Sequence, residues 1–303
     1  MKVLVTGGAG FIGSSLCRVL LAKGHAVTCL DNFSSSSREN IQSLKNTPGL
    51  TLIEKDVQSP LIGKYDEIYH FAATASPSKY LTSPIETSLT IVLGTLNALK
   101  LASETGAKIL LASTSEIYGD PEISPQPETY NGNVDPTSPR GCYVEAKRYA
   151  ESLAMDFYRE HKTDIRIARI FNAYGPGMAP EDGRVISTFL RQASMNQPLT
   201  IYGNGTQTRS FCYIDDLIDG LLSLMNSTIN GPVNLGNPEE ISILDLSKMI
   251  HSLTSSQSSL SFVKLPHAEP TRRCPDIKKA SSFGWVPKTS LKDGLIKTIS
   301  ITK

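Results

Sequence analysis

The sequence predicts an α/β protein, with a doubly wound, Rossmann-type parallel sheet joined to a smaller α/β lobe. Short apolar runs alternate with longer amphipathic stretches through the first half of the chain. A glycine-rich turn joins the first apolar run to the first amphipathic stretch, and prolines break the alternation after Phe171. We therefore expect residues 1–171 to form the sheet domain, together with part of 211–236, and residues 172–303 to form the lobe.

The glycine-rich turn follows the first predicted strand, Val3 to Val5, and precedes a predicted helix from Ser14 to Lys23. Glycines at this spacing permit a tight turn and close approach to a pyrophosphate, and the helix N-terminus offers N–H groups to phosphate oxygens. An ordinary glycine-rich turn is the alternative, and the strand–turn–helix–strand context argues against it. The predicted dinucleotide contacts at the turn are Gly7, Gly10, Phe11, Ile12 and Gly13.

The carboxylate after the second predicted strand, Ala26 to Leu30, indicates which dinucleotide binds. Asp31 can accept hydrogen bonds from a ribose 2′-OH and repels a 2′-phosphate, so we expect NAD rather than NADP, with Asn32 beside it. A simple turn residue is the alternative for Asp31. Arg38 could meet a phosphate, but its position beyond a serine run favours a solvated residue at a helix start.

Further apolar runs predict the remaining parallel strands, and a helix is predicted between two of them. The strands are Leu50–Ile53, Ile68–Ala72, Ile109–Ala112 and Ile165–Ile170, and the helix is Pro84–Ser103. Ligands bind such sheets outside the carboxyl ends of the strands. The segments expected to line one cleft follow Asp31, Ala72, Ala112 and Ile170. The cofactor contacts expected there are Asp56, Val57, Ala72 and Ile170, although Asp56 could equally cap a turn.

Shorter elements are predicted past Phe171. The predicted helices are Val185–Gln192, Ile214–Met225 and Ile243–Leu253, and the second of them is expected to pack back on the sheet domain. The serine-rich stretch Ser252–Ser261 predicts a surface connection.

Composition argues against several classes of protein. The 30 basic and 29 acidic residues leave a net charge of +1, which gives no signal for nucleic-acid binding. The five cysteines lack C-x-x-C spacing, so we expect a reducing, cytoplasmic environment and no metal site. No apolar run approaches roughly 18 residues and the first strand begins too early for a leader, so no membrane association is expected.

The candidate chemistry lies at the end of the fifth predicted strand and on the helix after it. The strand end carries Thr114, Ser115 and Glu116. Tyr143 and Lys147 share one face of a helix predicted over Cys142–His161. A neighbouring ammonium and a nicotinamide ring lower the pKa of a tyrosine, ordinarily about 10, so that it can take a proton from a sugar hydroxyl while hydride leaves the same carbon. A surface aromatic–lysine pair is the alternative.

These residues resemble a known family. The segments Thr6-Gly-Gly-x-Gly-x-x-Gly13, Asp31-Asn32, Tyr143-x-x-x-Lys147 and Gly203-Asn-Gly-Thr-Gln-Thr-Arg209 are similar to the extended short-chain dehydrogenase/reductases that act on nucleotide sugars. Within that group, the chain most resembles the UDP-glucuronate decarboxylases. The segments that carry this resemblance are Ala75–Tyr80, Leu111–Pro121, Ala168–Asn172, Asp182–Val185, Val233–Glu239 and Arg273–Lys279.

The resemblance implies an NAD-dependent reaction in three stages: oxidation at C4 of the glucuronyl ring, loss of carbon dioxide, and reduction of the ketone to UDP-xylose. It implies that Tyr143 is the base with Lys147 as its partner, and that Thr114 shares the hydrogen bond to the C4 oxygen. Glu116 and Arg273 match the family's other active-site pair. Arg273 suits a carboxylate or diphosphate, and Glu116 suits a water or the ring proton, unless either faces solvent.

The resemblance also implies where a UDP-sugar binds and how chains associate. The expected substrate contacts are Ser76, Tyr80, Ser115, Asn172, Arg184, Tyr202, Gln207, Arg209 and Arg273, each of which could instead be structural. The chain departs from the family at Ile91, where Asn is usual, and at Gly177, where many members have Gly-Pro-Arg. The helices Pro84–Ser103 and Cys142–His161 imply a homodimer through a four-helix bundle.

Three other activities are weighed on single residues. A nucleotide-sugar 4,6-dehydratase needs an acid directly after Thr114, and Ser115 cannot supply one. A 4-epimerase acting on UDP-glucose or UDP-glucuronate needs only the redox pair, but it leaves Glu116 unexplained. A non-catalytic NAD-binding module has no need of Tyr143 and Lys147.

Overall fold

The computed structural model describes residues 1–264 and 272–302. The strands, in chain order, are β1 (Lys2–Thr6), β2 (Ala26–Asp31), β3 (Leu50–Glu54), β4 (Glu67–His70), β5 (Lys108–Thr114), β6 (Ile165–Ile170), β7 (Ala173–Tyr174), β8 (Leu199–Tyr202), β9 (Thr208–Ser210), β10 (Cys212–Tyr213), β11 (Pro232–Leu235), β12 (Glu240–Ser242), β13 (Leu260–Val263) and β14 (Arg272–Arg273). The helices are α1 (Phe11–Ala22), α2 (Glu39–Gln42), α3 (Pro77–Tyr80), α4 (Pro84–Thr105), α5 (Gly141–His161), α6 (Val185–Ser194), α7 (Ile214–Asn226), α8 (Ile243–Thr254), α9 (Lys278–Ser281) and α10 (Leu291–Thr302).

The first of two compact units comprises Met1–Ile117, Pro136–Arg169 and Leu221–Val233. It is built on a seven-stranded sheet with the strand order β11-β6-β5-β4-β1-β2-β3. The neighbouring strands from β3 across to β5 run parallel. The order β3-β2-β1-β4-β5-β6 is that of dinucleotide-binding sheets, so the predicted α/β, doubly wound fold is confirmed.

Apolar runs form the central strands because both faces of a parallel sheet are covered. The middle residues of β1, β4 and β5 are accordingly buried. Every predicted strand overlaps an observed strand, with ends that differ by at most two residues, and β4 ends at His70 rather than Ala72. Phe71 N still donates to Thr6 O, and the chain then leaves the sheet.

Three helices cover strands of this unit. Helix α1 packs against β1 and β2, while α4 and α5 pack against β5 and along each other. Helix α1 begins at Phe11 rather than at the predicted Ser14, because the extended residue Gly10 already serves as its N-cap. Helix α4 ends at Thr105, and its C-cap residue Gly106 has a φ of +72°, a left-handed conformation that favours glycine.

Helix α4 is 22 residues long and apolar enough to cross a membrane, by length and composition alone. The helix contains no long unbroken apolar run, because apolar residues are interspersed with uncharged Ser, Thr and Asn. Its buried residues include Ile91, Ala98 and Leu99, and it packs against β4, β5 and α5. These contacts are those of a helix in a protein core.

The second unit comprises Tyr118–Asp135, Ile170–Gly220 and the described residues from Asn234 onward. It contains the small sheets β10-β7, β12-β9-β14 and β13-β8. Helices α6 and α8 pack together and against β8, and Phe189, Leu199 and Leu246 form the core there. Helix α7 begins in this unit and ends in the first.

The loop Tyr118–Asp135, assigned by sequence to the first domain, belongs to the second unit instead. A buried hydrogen-bond network explains the difference. Tyr118 OH donates to Asn234 Oδ1 (2.7 Å), and Asn234 Nδ2 donates to Gln126 O (2.8 Å). Cys274 N donates to Gln126 Oε1 (2.8 Å). These partners are distant in the chain, so no local pattern predicts their pairing.

The serine-rich stretch predicted as a surface connection is partly buried. Helix α8 ends at Thr254, and the buried hydroxyls of Ser256 and Ser258 hydrogen-bond to each other (2.7 Å). Ser256 also contacts Asn196 Oδ1 (3.2 Å). The stretch is therefore a surface connection in part: Ser255, Gln257 and Ser259 are exposed, whereas the hydroxyls of Ser256 and Ser258 satisfy each other inside the unit before the chain enters β13.

Candidate active site

Two glycines of the turn between β1 and α1 leave no space for a side chain. Gly7 has a φ of +66°, and a Cβ there would lie 2.8 Å from Ala72 N. A Cβ on Gly13 would lie 2.2 Å from Gly7 O. The turn therefore closes against the segment after β4, and brings the predicted contact Ala72 beside it, only because both residues are glycine.

The N-terminus of α1 can receive an anion. Gly10 is its extended N-cap residue, and no side chain caps the helix. The first helical bond runs from Ser14 N to Gly10 O (2.9 Å). The N–H groups of Phe11, Ile12 and Gly13 therefore have no acceptor within the helix. Together with the helix dipole, these donors suit the diphosphate of a dinucleotide.

Asp31 is buried at the end of β2 and organises the turn. Its Oδ2 accepts a hydrogen bond from Ala9 N (2.9 Å). Its Oδ1 accepts from Phe33 N (2.9 Å) and from the Ser36 hydroxyl (2.8 Å). Asp31 is thus a turn residue. Because Oδ2 accepts one of these three hydrogen bonds, that oxygen retains an acceptor site for a ribose hydroxyl.

Arg38, the alternative phosphate contact, is engaged elsewhere. It donates to Glu54 Oε1 (2.6 Å), and its guanidinium lies 4.0 Å from the centroid of the Phe33 ring. Both charged side chains are more than half exposed, and Arg38 directly precedes α2. It is therefore a solvated residue at a helix start, as the sequence indicates.

The predicted contacts after β3 are held by local hydrogen bonds. Asp56 accepts from Asn32 Nδ2 (2.7 Å) and from Gln58 N (2.8 Å), so it does cap a turn. Val57 is buried, and Asn97 on α4 donates to its carbonyl (2.9 Å). The turn-capping alternative for Asp56 is therefore realised, and contacts of Asn32, Asp56 and Val57 with a cofactor stay predictions.

We expect Asp31→Ala to lose the preference for NAD over NADP. Loss of a carboxylate that binds a 2′-OH and repels a 2′-phosphate should weaken NADH binding by roughly tenfold, while NADPH binding is unchanged or improved. Fluorescence titration gives both dissociation constants. Asp31→Asn, which retains an acceptor for Ala9 N, separates the effect of charge from that of the turn.

Glu54→Gln is the matched control for this experiment. Glu54 lies opposite Asp31 in the β2–β3 register, so its replacement removes a neighbouring charge outside the expected ribose contact. Equal affinities of the unmodified protein for NADH and NADPH would show that Asp31 does not face the ribose.

Strand β5 ends in the residues predicted to carry the chemistry. Thr114 and Ser115 are both buried, and Glu116 N donates to Thr114 Oγ1 (3.2 Å). A 3-10 turn begins at Ser115 without an intervening loop. The hydroxyl of Thr114 and the backbone of Glu116 are therefore fixed to each other at the strand end.

Tyr143 and Lys147 lie one turn apart on α5, and both are buried. Lys147 Nζ donates to Ala112 O on β5 (2.6 Å). Burial lowers the pKa of Lys147 to about 8, and the Glu151 carboxylate one turn further along opposes this shift. The alternative of a surface aromatic–lysine pair is wrong, because neither side chain faces solvent.

Two aromatic rings and an ion pair surround the Glu116 carboxylate. The rings of Tyr80 and Tyr143 are stacked with their centroids 5.1 Å apart. Tyr80 OH donates to Glu116 Oε2 (3.4 Å), and Arg140 Nη1 lies 3.7 Å from the same oxygen. The Glu116 side chain is only 14 % exposed, so the alternative of a solvent-facing carboxylate is wrong.

The sequence reasoning missed Arg140. It is the N-cap residue of α5, at the end of a proline-rich loop, and it belongs to no motif. Its position was nevertheless a signal, because a helix N-terminus disfavours a cation. An arginine directly before the helix that carries Tyr143 therefore suggests a partner of opposite charge, which the structure provides in Glu116.

Ser76 and Tyr80, both predicted sugar contacts, belong to one short element. Ser76 is the N-cap residue of α3 and hydrogen-bonds to Ser78 Oγ (2.9 Å), and Tyr80 ends the helix. Lys79 Nζ donates to Ser35 O (2.8 Å) in the loop after β2. The element that positions Tyr80 is thereby tied to the loop that follows Asp31.

In the second unit, Arg273 is only 8 % exposed, and its Nε has no hydrogen-bond partner among the described residues. Strand β14 pairs with β9 so that Arg273 lies beside Arg209, and Ser210 Oγ donates to Arg273 O (3.3 Å). Buried polar atoms are nearly always paired. An unpaired guanidinium donor beside a second arginine suits a carboxylate or phosphate, and Arg273 does not face solvent.

The other predicted nucleotide contacts are held within the same unit. Asn172 Nδ2 donates to Ser210 O (3.2 Å), and Gln207 Nε2 donates to Tyr202 O (2.8 Å). Arg184 is the N-cap residue of α6 and pairs with a carboxylate two positions earlier (3.2 Å). The structure therefore groups Asn172, Arg209 and Arg273 around β9, and places Tyr202 and Gln207 in one turn.

The departures from the family have local explanations. Ile91 is a core residue of α4 and offers no polar contact. Gly177 has a φ of +87°, where glycine is favoured, and a Cβ there would meet nothing within 4 Å. The last predicted cofactor contact, Ile170, ends β6 and is partly buried. Within the described ranges, no three His, Cys, Asp or Glu side chains converge as metal ligands.

Comparisons of the sequence identify relatives over the whole length. Residues 3–236 match the model of the NAD dependent epimerase/dehydratase family. The chain is 48 % identical over 299 residues to UDP-glucuronic acid decarboxylase 1 of Danio rerio, and the matched region covers 98 % of this chain and 72 % of that protein. It is 48 % identical over 297 residues to UDP-glucuronic acid decarboxylase 3 of Arabidopsis thaliana, and the matched region covers 97 % of this chain and 87 % of the relative.

Two of the solved structures with a similar fold are an epimerase and a dehydratase of nucleotide sugars. A UDP-glucose 4-epimerase of Thermotoga maritima, crystallised with UDP-glucose, superimposes with a TM-score of 0.92 at 27 % identity and covers 100 % of this chain and 98 % of that one. A dTDP-glucose 4,6-dehydratase of Streptomyces venezuelae with NAD bound gives a TM-score of 0.90 at 28 % identity, covering 99 % and 96 %.

Proposed function

Because the chain belongs to the NAD-dependent epimerase/dehydratase family, we propose that it converts UDP-glucuronate to UDP-xylose with loss of carbon dioxide. The observation that carries this proposal is the 48 % identity to a UDP-glucuronic acid decarboxylase over 98 % of the chain. The predicted resemblance to the extended short-chain dehydrogenase/reductases is confirmed, and so is the prediction that the cofactor is NAD.

Groups of the first unit hold the cofactor and serve the carbon that is oxidised. The glycine turn and Asp31 would hold NAD, which when bound would supply the hydride acceptor and later the hydride donor. Tyr143 takes the proton of the C4 hydroxyl, and the ammonium of Lys147 favours the phenolate that does so. The bond from Lys147 to Ala112 O keeps that ammonium at the end of β5.

The decarboxylation stage uses the same hydroxyls in another role. When carbon dioxide leaves the β-keto acid, negative charge develops on the C4 oxygen, and Thr114 and the protonated Tyr143 can donate hydrogen bonds to it. Glu116 contacts Tyr80 and Arg140, and these contacts position its carboxylate to exchange the ring proton or to orient a water molecule.

Groups of the second unit suit the anionic parts of the substrate. The Nε of Arg273, which has no partner within the part of the chain that the structure describes, provides a donor for the carboxylate or the diphosphate. Arg209 lies beside it in the β9–β14 register, and Asn172 adds an amide anchored on β9. This pairing of guanidinium groups accounts for recognition of a substrate that carries several negative charges.

A sugar 4-epimerase is the second candidate function. It is favoured by the fold similarity to a 4-epimerase at a TM-score of 0.92, and it requires only Tyr143 and Lys147. It does not explain why Glu116 is held by two partners. A 4,6-dehydratase is disfavoured because Ser115 supplies no acid, and a non-catalytic module is disfavoured because it needs no buried lysine beside a tyrosine.

The deciding experiment is incubation of the pure protein with UDP-glucuronate and NAD. Mass spectrometry and proton NMR of the sugar nucleotide distinguish the outcomes. UDP-xylose, or a UDP-4-keto pentose released before reduction, supports decarboxylation. A C4 epimer of UDP-glucuronate with no carbon dioxide released would establish the epimerase instead.

We also propose that the chain forms a homodimer through α4 and α5. These helices pack along each other and leave apolar side chains exposed on their outer surface. On α4, Ile85, Leu89 and Leu93 are 77 %, 42 % and 37 % exposed, and on α5 Tyr149 is 52 % exposed. Residues four apart share one helix face. Such a stripe on two paired helices supports a four-helix bundle about a two-fold axis.

The double substitution Leu89→Arg with Leu93→Arg should convert the dimer to a monomer. Unpaired charges buried in an apolar interface are strongly destabilising. Sedimentation equilibrium at micromolar concentration measures the mass. Leu52→Arg is the control, because Leu52 is 40 % exposed on β3, outside the stripe. A monomeric unmodified protein, or a dimeric double variant, would contradict the proposal.

We further propose that the protein acts in the cytoplasm. The proposal is supported by its five cysteines, which are all free thiols. Free thiols are typical of a reducing compartment. Fractionation of cells that express the full chain with a small tag tests this. Recovery with secreted or membrane proteins would contradict it.

A further inference from the structure

Glu151 and Arg169 form a buried ion pair that the proposed chemistry does not use. Glu151 lies on α5, one turn after Lys147, and Arg169 lies on β6. Arg169 Nε donates to Glu151 Oε1 (3.0 Å) and Nη2 donates to Oε2 (2.8 Å), a bidentate geometry. The two side chains are only 12 % and 11 % exposed, so neither charge is stabilised mainly by solvent.

Ser113 connects this pair to the end of β5. Its buried hydroxyl donates to Glu151 Oε1 (2.5 Å). Ser113 stands between Ala112, whose carbonyl accepts from Lys147, and Thr114. One carboxylate on α5 therefore contacts both the strand that carries Thr114 and the arginine of β6.

We propose that the Glu151–Arg169 pair is a positioning element, which locks α5 to the end of β5 and balances the charge of the Lys147 ammonium inside the protein. It fixes Tyr143 and Lys147 relative to Thr114, since the contacts from α5 to this strand end include Lys147 to Ala112 O and Ser113 to Glu151. The inference rests on the proposed function only in assigning a catalytic use to Lys147.

The charged and titratable groups around Lys147 determine the direction in which its ionisation should shift. They are Tyr143 and Glu151 on its own helix, His70 on β4 and Arg169 on β6. Burial, with a contribution from Lys147, lowers the pKa of His70 to about 3, so the imidazole is neutral. Glu151 favours the charged lysine. Because Arg169 is paired with that carboxylate, we expect its positive charge to offset part of this effect. Removal of Glu151 and removal of Arg169 should therefore shift the ionisation of Lys147 in opposite directions.

If the pair balances the charge of Lys147, loss of Glu151 and loss of Arg169 should shift the pH dependence of activity in opposite directions. A pair that only holds the fold together would not produce this pattern. Glu151→Gln leaves the Arg169 cation unbalanced, so the basic limb of kcat/KM should move to lower pH by about one unit. Arg169→Met leaves the carboxylate unopposed, so the limb should move to higher pH. Ser113→Ala removes the anchor without a change of charge, so kcat should fall while the limb stays in place.

Two measurements test the proposal. The first is the pH profile of kcat/KM with UDP-glucuronate and NAD. The second is NMR titration of ¹³Cε-labelled lysine in the NAD-loaded protein, with the Lys147 signal assigned through Lys147→Arg. The titration needs no turnover. If the wild-type protein does not decarboxylate UDP-glucuronate, the proposed function fails, and the titration still decides this inference.

Opposite displacements of the Lys147 titration in Glu151→Gln and Arg169→Met support the proposal. Shifts in the same direction, or none in either variant, overturn it. Glu151→Gln keeps an acceptor for Ser113, and Arg169→Lys keeps the positive charge, so both remain informative if Arg169→Met does not fold. Arg169→Lys should titrate as the wild type does, and a displacement equal to that of Glu151→Gln would overturn the charge-balancing role.

Discussion

Tyr143→Phe is expected to abolish turnover of UDP-glucuronate while NAD affinity stays nearly unchanged. The substitution removes the base of the oxidation stage and a donor to the oxyanion, each typically worth a hundredfold or more in rate. It leaves the ring, which stacks against Tyr80 at 5.1 Å, so the surroundings of Glu116 should persist. Product formation by NMR and NADH titration by fluorescence measure the two quantities.

Tyr158→Phe is the matched control for this experiment. Tyr158 lies on the same helix, roughly four turns beyond Tyr143, and loses the same hydroxyl. It should retain full activity. Activity of Tyr143→Phe above roughly a few per cent of wild type would remove Tyr143 from the mechanism.

Glu116→Gln and Arg273→Ala should slow the release of carbon dioxide far more than they weaken the binding of plain UDP. UDP lacks the glucuronate ring, so contacts made only to the carboxylate or the developing enolate cannot contribute to its affinity. Loss of a group used mainly in the transition state should reduce the rate by roughly a hundredfold or more. Single-turnover release of labelled carbon dioxide is compared with UDP affinity from calorimetry.

Each substitution has a neighbouring control. Glu122→Gln makes the same chemical change at an exposed position shortly after Glu116. Arg272→Ala removes the exposed arginine next to Arg273, and Arg272 pairs with Glu240. Neither control should slow decarboxylation. If Arg273→Ala lowers UDP affinity as much as it lowers the rate, Arg273 binds the diphosphate rather than the reacting carboxylate.

The first half of the fold was predictable because its signals are local. The glycine turn, the strands beside it and Asp31 are adjacent in the chain, and the physical requirements for glycine act within that segment. The i, i+4 spacing of Tyr143 and Lys147 likewise needs only a helix. Helix ends shifted by a few residues, since caps such as Gly10 lie outside the apolar pattern.

The remainder depends on contacts between residues that are distant in the chain. Strands β9, β12 and β14 have two or three residues each, too few for a periodic pattern, and they form by pairing with each other. Gln126 is fully buried because Asn234 and Cys274 satisfy its polar atoms. The ion pair of Arg140 with Glu116 and that of Glu151 with Arg169 are equally invisible to local spacing.

The buried Nε of Arg273 indicates what an inhibitor of this protein should contain. A buried donor that lacks an acceptor is unfavourable by about 1–3 kcal/mol, and this Nε has no acceptor among the described residues. A compound that places a planar anion there relieves the penalty and gains a charge-assisted bond. Uridine-based compounds with a carboxylate isostere should therefore bind more tightly than their neutral amide counterparts.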